Sequence, residues 1–299
     1  MSTAVPHKPL APGRALARLA PAAFVVLWST GFIGAKLGLP YAEPLTFLVW
    51  RVGIVVVILV MVALIARAPW PRSASMVGHM AVAGVLVHAG LLGGVFSAIS
   101  RGLSSGVAAL IVGLQPLLTA VAAGLWLKEP IRARQWIGFV LGLLGVALVV
   151  SDKLSGAELN ARAIGFAVLA LFSMTAGTLY QKRYCGSMDF RTGGAIQYAA
   201  AGIVLFAGAL ATENLSVRWS AEFVFALLWL CIVLSVGAVS LLYMLIRRGA
   251  ASRVSSLFYL VPPVTALMGY ALFRETLGET ALVGMALTAI AVAMVVRSD

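Results

Sequence analysis

The residues best suited to chemistry in this sequence are aromatic and hydroxyl side chains that stand side by side in two apolar segments. An aromatic ring can stack on an aromatic substrate, while a neighbouring hydroxyl hydrogen-bonds an ammonium or carboxylate group. Serine and threonine also pack helices against each other inside membranes, so a helix interface remains open as the alternative. The candidate substrate contacts of this kind are Trp28, Ser29, Thr30, Phe172, Ser173 and Thr175.

Two histidines lie in a third apolar segment, where ionisable groups are rare unless they serve a function. His79 is near one end of that segment and His88 is close to its middle. On a helix they are about 13–14 Å apart along the axis, so they cannot ligate one metal ion. We expect no metal site and no cofactor. Each histidine is a candidate substrate or gate contact, and a buried, hydrogen-bonded histidine is the alternative.

Prolines mark matched positions in two further apolar segments. Pro116 lies in one segment, and Pro262 with Pro263 lies in the other. A proline frees a backbone carbonyl and bends its helix, so these residues are candidate hinges that expose carbonyl oxygens to an ammonium group. Gln115 and Tyr259 are close by in sequence and face a central cavity if the bends turn inward. Bends that only adjust packing are the alternative.

Arg51 is the only arginine well inside an apolar segment, about 10 Å from its end by helical rise. It could pair with a substrate carboxylate. We favour a structural role, in which it snorkels outward or caps carbonyl groups of adjacent helices. Lys36, near the end of the first segment, receives the same interpretation.

The composition places these segments in a bilayer. Of 299 residues, 62% are hydrophobic and 11% are charged, against roughly 45–50% and 25% in soluble domains. The net charge of +12 is spread in ones to threes between apolar runs and forms no basic patch, which argues against nucleic-acid binding. Cys185 and Cys231 have no neighbouring ligand set and are expected to be inert.

Apolar runs of bilayer-spanning length predict an all-α integral membrane protein of ten transmembrane helices. A tail over residues 1–20 precedes them and is expected to be cytoplasmic. Most of the 22 Lys and Arg residues then fall on the cytoplasmic side, which also places both termini there. The predicted spans cover 21–39, 44–66, 76–99, 103–127, 135–150, 164–184, 192–211, 223–246, 254–273 and 277–296.

The sequence also contains an internal repeat, which predicts two halves over residues 21–152 and 153–299. Residues 99–107, read Ile-Ser-Arg-Gly-Leu-Ser-Ser-Gly-Val, match residues 246–254, read Ile-Arg-Arg-Gly-Ala-Ala-Ser-Arg-Val. Five spans is an odd number, so the second half must enter the membrane from the opposite side. Such inverted-topology repeats are typical of transporters, whose substrate site opens alternately to either face. Further matched pairs are Trp28 with Phe172, Glu43 with Asp189, Arg51 with Gln197, Pro116 with Pro263 and Glu129 with Glu275.

These residues resemble the EamA-type repeat of the drug/metabolite transporter superfamily, and the resemblance covers residues 20–296. It implies ten helices around a central cavity lined mainly by helices 1, 3, 4, 6, 8 and 9, with helices 5 and 10 to the side. In overall character the chain is similar to YddG-type amino-acid exporters. One departure is Gln197, which stands where the first half has Arg51. The resemblance rests on 102–110, Pro116, Glu129, Gly138 and Gly145, on 249–254, Pro262, Pro263, Glu275 and Gly284, and on Pro44 with Arg51.

The sequence therefore predicts a transporter, not an enzyme: a bacterial inner-membrane exporter of small metabolites, chiefly aromatic and other neutral amino acids. Its expected partners are the small-molecule substrate and the lipid bilayer, and the oligomeric state stays open, with a monomer as the simplest expectation. The predicted spans have no Asp or Glu near their middle, so we expect loose or absent ion coupling, or coupling through a histidine.

Two alternatives remain. A multidrug or cationic-drug efflux protein of the same fold would prefer an acidic residue in its cavity. Residues 102–106, Gly-Leu-Ser-Ser-Gly, match the GxSxG pattern of serine hydrolases. That motif needs a strand–turn–helix context, whereas here it opens a predicted transmembrane helix, which makes an intramembrane hydrolase the remote alternative.

Overall fold

A computed structural model of the chain describes residues 12–127, 133–154, 161–186, 188–238, 241, 244–245, 256–275 and 278–296. These residues form ten helices. They are α1 Pro12–Gly38, α2 Pro44–Ile65, α3 Ala74–Ser100, α4 in the two segments Ser105–Val112 and Gln115–Leu127, α5 Ala133–Leu154, α6 Ala161–Tyr184, α7 Phe190–Thr212, α8 Ala221–Ala238, α9 Val261–Phe273 and α10 Glu279–Val296.

The helices have the lengths and composition of membrane spans. Within the described residues, α1, α2, α3, α6, α7 and α8 are long and apolar enough to cross a bilayer, and the other four contain shorter apolar stretches. Large apolar side chains such as Ile65, Ile203 and Leu267 are exposed on the outside of the bundle. In a membrane this exposure is expected, because a helix satisfies its own backbone and can face lipid. The predicted all-helical membrane fold is confirmed.

Capping residues set several of the helix starts. The side chain of Ser73 accepts a hydrogen bond from the Met76 amide before α3, and Ser220 accepts one from Phe223 before α8. Asp189 does the same before α7 and also binds the guanidinium of Arg191, which lowers the pKa of the Asp189 carboxyl to about 2. These side chains satisfy amides that the first helical turn leaves without partners.

Helix α2 packs against α7, its counterpart in the repeat, and the two run in opposite directions. Gly208, near the end of α7, lies against Leu45 at the start of α2, and Gly194 near the start of α7 lies against Leu59. An antiparallel pairing of two equivalent helices is the direct consequence of an inverted repeat.

Two further counterpart pairs also pack against each other. In α4 and α9, Gly106 lies against Ala266 and Gly113 lies against Pro262. In α5 and α10, the Gly145 and Gly284 backbones are so close that a Cβ atom on either residue would clash with the other helix. Small residues allow such close approach between membrane helices.

The two ends of the bundle differ in which helices terminate there. The Glu275 end is the end at which α1, α3, α5, α7 and α9 terminate, and the His79 end is the opposite one. Helix α1 packs against α8 and α9, and α6 packs against α3 and α4, so each of these two groups combines helices from both halves. The groups also meet where α4 packs against α9. The internal space bordered by Arg51 and His88 lies between these two groups.

Candidate substrate cavity

A cavity of about 200 Å³ lies inside the bundle, between the α1–α8–α9 group and the α3–α4–α6 group. Its walls come from α1, α2, α3, α4, α6, α7 and α8, and none of the described lining residues belongs to α5 or α10. The family resemblance implied a cavity lined by helices 1, 3, 4, 6, 8 and 9. Here α2 and α7 also form walls, and none of the described lining residues belongs to α9. The lining residues are Trp28, Gly31, Phe32, Arg51, Val87, His88, Leu91, Leu92, Val95, Phe96, Val112, Met174, Tyr198, Leu234 and Ser235.

The helices around this cavity are locally irregular. Helix α3 contains a π-helical turn over Val85–Gly90, and α8 continues as a π-helix over Trp229–Ala238. Helices α3 and α8 are counterparts in the repeat, so the irregularity occurs in both halves. A π-turn misaligns the backbone ladder and is frequent at functional sites. Here the two turns place His88 and Ser235 at the cavity wall.

Aromatic rings form much of the wall. The His88 imidazole stacks on the Tyr198 ring with centroids 3.8 Å apart and an angle of 21° between the planes. Trp28 meets Phe258 edge to face, with centroids 5.1 Å apart. The structure thus brings together two of the candidate contacts, Trp28 and His88, in a pocket suited to a flat apolar group.

Arg51 also lines the cavity, contrary to the outward or capping role that we favoured from the sequence. The residue is 3% exposed, and its Nε and Nη1 atoms are buried with no hydrogen-bond partner among the described residues. The guanidinium carbon lies 6.0 Å from the centre of the Phe96 ring. The guanidinium therefore does not reach the membrane surface. A buried charge without a partner destabilises the folded protein. In other proteins, removal of one partner of a buried ion pair lowers the free energy of unfolding by about 3–5 kcal/mol.

A smaller chamber of about 40 Å³ adjoins the cavity and shares four lining residues with it: Trp28, Phe32, Val112 and Met174. Gln115 and Pro116 line this chamber. The Gln115 amide donates to the hydroxyl oxygens of Thr119 at 2.9 Å and Thr178 at 3.4 Å, which connects α4 to α6. Helix α4 is interrupted at Gly113 and Leu114, directly before these residues.

Four of the candidate contacts make helix-to-helix contacts or local hydrogen bonds instead of lining the cavity. The Ser29 hydroxyl donates to the carbonyls of Val25 at 2.8 Å and of Val261 in α9 at 3.3 Å. The Thr30 hydroxyl accepts from the Trp229 indole at 2.9 Å. Both therefore fasten α1 to its neighbours. The others are Ser173, which packs against Gly90, and Thr175, which donates to the carbonyl of Leu171 at 2.8 Å.

The remaining candidates lie elsewhere. Phe172 is 57% exposed on the outer surface of α6, although its counterpart Trp28 lines the cavity. Pro262 and Pro263 occupy the first turn of α9, after a 3₁₀ segment over Ser256–Leu260. Tyr259 belongs to that segment, and its side chain lies outside the described part of the structure.

His79 occupies a separate cluster at the His79 end, between α3 and α6. Its ring stacks on Tyr184 with centroids 4.6 Å apart, and its Nδ1 atom lies 2.8 Å from the Tyr180 hydroxyl. His79 is not among the described residues that line the cavity.

At the Glu275 end, three residues form what we call the Glu275 clamp: Lys36 of α1, Ser105 of α4 and Glu275 after α9. The Lys36 ammonium forms an ion pair with Oε1 of Glu275. The Glu275 carboxylate also accepts from the Ser105 amide at 3.0 and 3.1 Å and from the Ser105 hydroxyl at 3.3 Å. It thereby joins the two helix groups at that end. A carboxylate at a helix N-terminus is also favoured by the helix dipole.

Several wall residues were not predicted from the sequence, notably Tyr198, Phe96, Met174 and Ser235. For Ser235 a signal existed: the repeat register that aligns Ile99 with Ile246 also aligns His88 with Ser235. Ordinary apolar and aromatic residues such as Phe96 and Met174 carried no such signal, because every span contains them.

Comparison with known proteins gives a family match over most of the chain. The model of the EamA-like transporter family matches residues 18–151 and again residues 161–297. A solved crystal structure superposes with a TM-score of 0.63 at 18% identity, over 94% of this chain and 96% of that chain, which shows a shared fold.

Relatives in bacteria include two transporters of unassigned substrate. "Uncharacterized transporter YvbV" of Bacillus subtilis (strain 168) is 27% identical over 91% of this chain and 88% of its own length. "Uncharacterized inner membrane transporter YedA" of Escherichia coli (strain K12) is 29% identical over 70% of this chain and 71% of its own length. A "Probable amino-acid metabolite efflux pump" of Escherichia coli (strain K12) is 24% identical over 53% of this chain and 51% of its own length.

Proposed function

Because this chain belongs to the EamA-like transporter family, we propose that it exports small metabolites, chiefly aromatic and other neutral amino acids, by alternating access. The observation that carries the proposal is the cavity between the two helix groups, walled by Trp28, Phe96 and the stacked pair of His88 and Tyr198. A flat apolar side chain fits such a wall. The likeness to YddG-type exporters and to a relative named as an amino-acid metabolite efflux pump points to the same substrate class.

Alternating access requires that the cavity be closed at one end while it opens at the other. The Glu275 clamp joins the two helix groups at one end, and counterpart helices run antiparallel, so a small rotation of one group against the other exchanges the open end. With both termini in the cytoplasm, the Glu275 end faces outward. We place the protein in the bacterial inner membrane, with its halves over residues 21–152 and 153–299.

Multidrug efflux is less well supported as the function. The cavity of about 200 Å³ is below the roughly 300–1,000 Å³ that is typical of sites for drug-sized ligands. Its described lining residues include no Asp or Glu, whereas a site for a cationic drug would prefer an acidic residue.

The surroundings of Ser104, the serine of the GxSxG pattern, do not support intramembrane hydrolysis. Its hydroxyl is buried and has no hydrogen-bond partner among the described residues, so no base activates it there. The residue precedes a transmembrane helix, not a strand–turn–helix elbow. The family match is to transporters and not to an enzyme family.

Counterflow in proteoliposomes tests the proposed function. Vesicles with purified protein and internal unlabelled phenylalanine should accumulate labelled phenylalanine, saturably and without an imposed pH gradient. Tryptophan and methionine should compete. Empty vesicles and vesicles with the Ser104→Ala variant are the controls, and the variant should retain full activity. Failure of every amino acid tested to drive counterflow would refute amino-acid export, and a strict need for a pH gradient would refute uncoupled transport.

A further inference from the structure

We infer that Arg51 binds the carboxylate of the transported molecule, so that the substrate class is a small acid or zwitterion with a single carboxylate and an apolar body. That the bound molecule is transported rests on the proposed function. The binding of a carboxylate at Arg51 stands on its own observations.

The first observation is the state of the guanidinium. Arg51 is buried, lines the cavity, and has two nitrogen atoms without hydrogen-bond partners among the described residues. It is the one permanently charged side chain among the described lining residues. A guanidinium presents a planar fork of donors that matches the two oxygens of a carboxylate.

The second observation is the shape and chemistry of the space beside it. From the Arg51 position, the cavity continues along Phe32 and Trp28 to the small chamber at Gln115. By helical rise, Arg51 lies about 10 Å from the Glu275 end and Trp28 about 15 Å from it. A carboxylate at Arg51 therefore points its apolar body toward the middle of the bundle, between Trp28 and Met174.

The third observation is the asymmetry between the two halves. The counterpart of Arg51 is Gln197, which is buried and donates to the Gln181 side chain at 3.3 Å. Gln197 is not among the described residues that line the cavity. One anion-binding group on one side of a pseudo-symmetric cavity fixes a single substrate orientation, with the carboxylate toward the Glu275 end.

The test compares four probes that share a phenyl ring. Phenylalanine and 3-phenylpropionate carry a carboxylate, whereas phenylalaninamide and phenethylamine do not. The readout is thermal stabilisation of the purified wild-type protein in detergent, at constant ionic strength, together with competition in phenylalanine counterflow. We expect the two carboxylates to bind at least about tenfold more tightly than the other two, as is usual for a charge-assisted pair.

In the Arg51→Gln variant this preference should fall to within about twofold, while Arg51→Lys should keep part of it, because the charge remains but the fork is lost. Arg101→Gln, at an exposed arginine of the same end, controls for a general loss of positive charge. If Arg51→Gln does not yield folded protein, the probe series on the wild type and on Arg51→Lys still decides.

The outcomes separate the inference from the proposed function. Carboxylate-selective binding that depends on Arg51, without any counterflow, would support the inference and reject the exporter. Counterflow in which phenylalaninamide or phenethylamine competes as well as phenylalanine would overturn the inference and leave the exporter standing. Equal stabilisation by sodium chloride and by sodium 3-phenylpropionate would also overturn it, since the site would then be one for inorganic anions.

Discussion

Trp28 and Phe172 occupy equivalent positions in the two halves, but they have different surroundings. Trp28 lines the cavity, whereas Phe172 is exposed on the outer surface of α6. We expect Trp28→Ala to lower counterflow of aromatic amino acids by about tenfold or more, because truncation of a buried aromatic anchor removes most of its contact area. Trp28→Phe should retain much of the activity.

Phe172→Ala is the matched control for this prediction, because it makes a comparable truncation at the counterpart residue. Its counterflow should stay close to that of the wild type. Equal losses in Trp28→Ala and Phe172→Ala would contradict the assignment of Trp28 to the cavity wall and would indicate a general effect on folding.

His88 gives a second prediction at the level of single residues. Its ring stacks on Tyr198 at the cavity wall. We expect His88→Ala to lose most of the counterflow, and His88→Phe to retain at least about half of it, because the phenyl ring preserves the stacking. His79→Phe serves as the control, since its phenyl ring can still stack on Tyr184 outside the cavity wall. A complete loss in His88→Phe would instead assign the role to the imidazole nitrogens.

Among the helices, the Glu275 clamp makes the clearest prediction. The Glu275 carboxylate binds the ammonium of Lys36 and the amide of Ser105, so Glu275→Gln removes the charge that the ion pair needs and weakens the hydrogen bond from the amide. We expect the variant to open more often at the Glu275 end. A reporter is Val112→Cys, a cavity residue, in a chain whose native cysteines are replaced by alanine.

The measurement is the rate at which a membrane-impermeant maleimide, added at the Glu275 end, labels this cysteine. Glu275→Gln should raise the rate about tenfold, in keeping with the loss of one charge-assisted contact. Glu279→Gln, an exposed carboxylate at the start of α10, is the control and should leave the rate unchanged. An unchanged rate in Glu275→Gln would show that the clamp does not hold this end closed.

Close packing between α3 and α7 yields a stability prediction. A Cβ atom at Gly84 would clash with the backbone of Gln197, whereas one at Gly78 in the same helix would meet open space. Gly84→Ala should therefore lower the free energy of unfolding by about 1–3 kcal/mol through overpacking. Gly78→Ala should leave it unchanged or raise it, because alanine favours helix. Thermal unfolding in detergent compares them, and equal midpoints would contradict the close contact.

At the scale of the whole molecule, the inverted repeat predicts the topology of the chain. Alkaline phosphatase fused after Gly186, at the His79 end, should be inactive, because the flanking Lys182, Arg183 and Arg191 favour the cytoplasm. Phosphatase fused after Leu215, at the Glu275 end, should be active. The reverse pattern of phosphatase activity would show that the protein has the opposite orientation in the membrane, and it would not contradict the fold.

The fold was largely predictable because each span is specified locally. A run such as residues 44–66 is long and apolar enough to be a membrane helix whatever its neighbours are, and α2 over Pro44–Ile65 agrees with it closely. The π-helical turns in α3 and α8 were not predicted, since their cause is packing against other helices and not a local propensity.

The cavity was predictable only in part, because a helix has several faces and the sequence does not say which one points inward. Adjacent residues illustrate this: Trp28 lines the cavity, while Ser29 turns to the α9 backbone. Repeat symmetry suggested a cavity position for Phe172, which instead lies on the outer surface. The two halves have similar backbone folds, but equivalent helices expose different faces to lipid.

The sequence by itself determined that this protein is an all-helical membrane transporter of two antiparallel halves, since span length, hydrophobicity and an odd number of spans in a repeat are properties of the chain alone. Only the tertiary structure decided which side chains share the cavity and that Arg51 is among them. The direction of a side chain depends on how its helix is rotated against its neighbours, and that rotation is set by contacts between residues far apart in sequence.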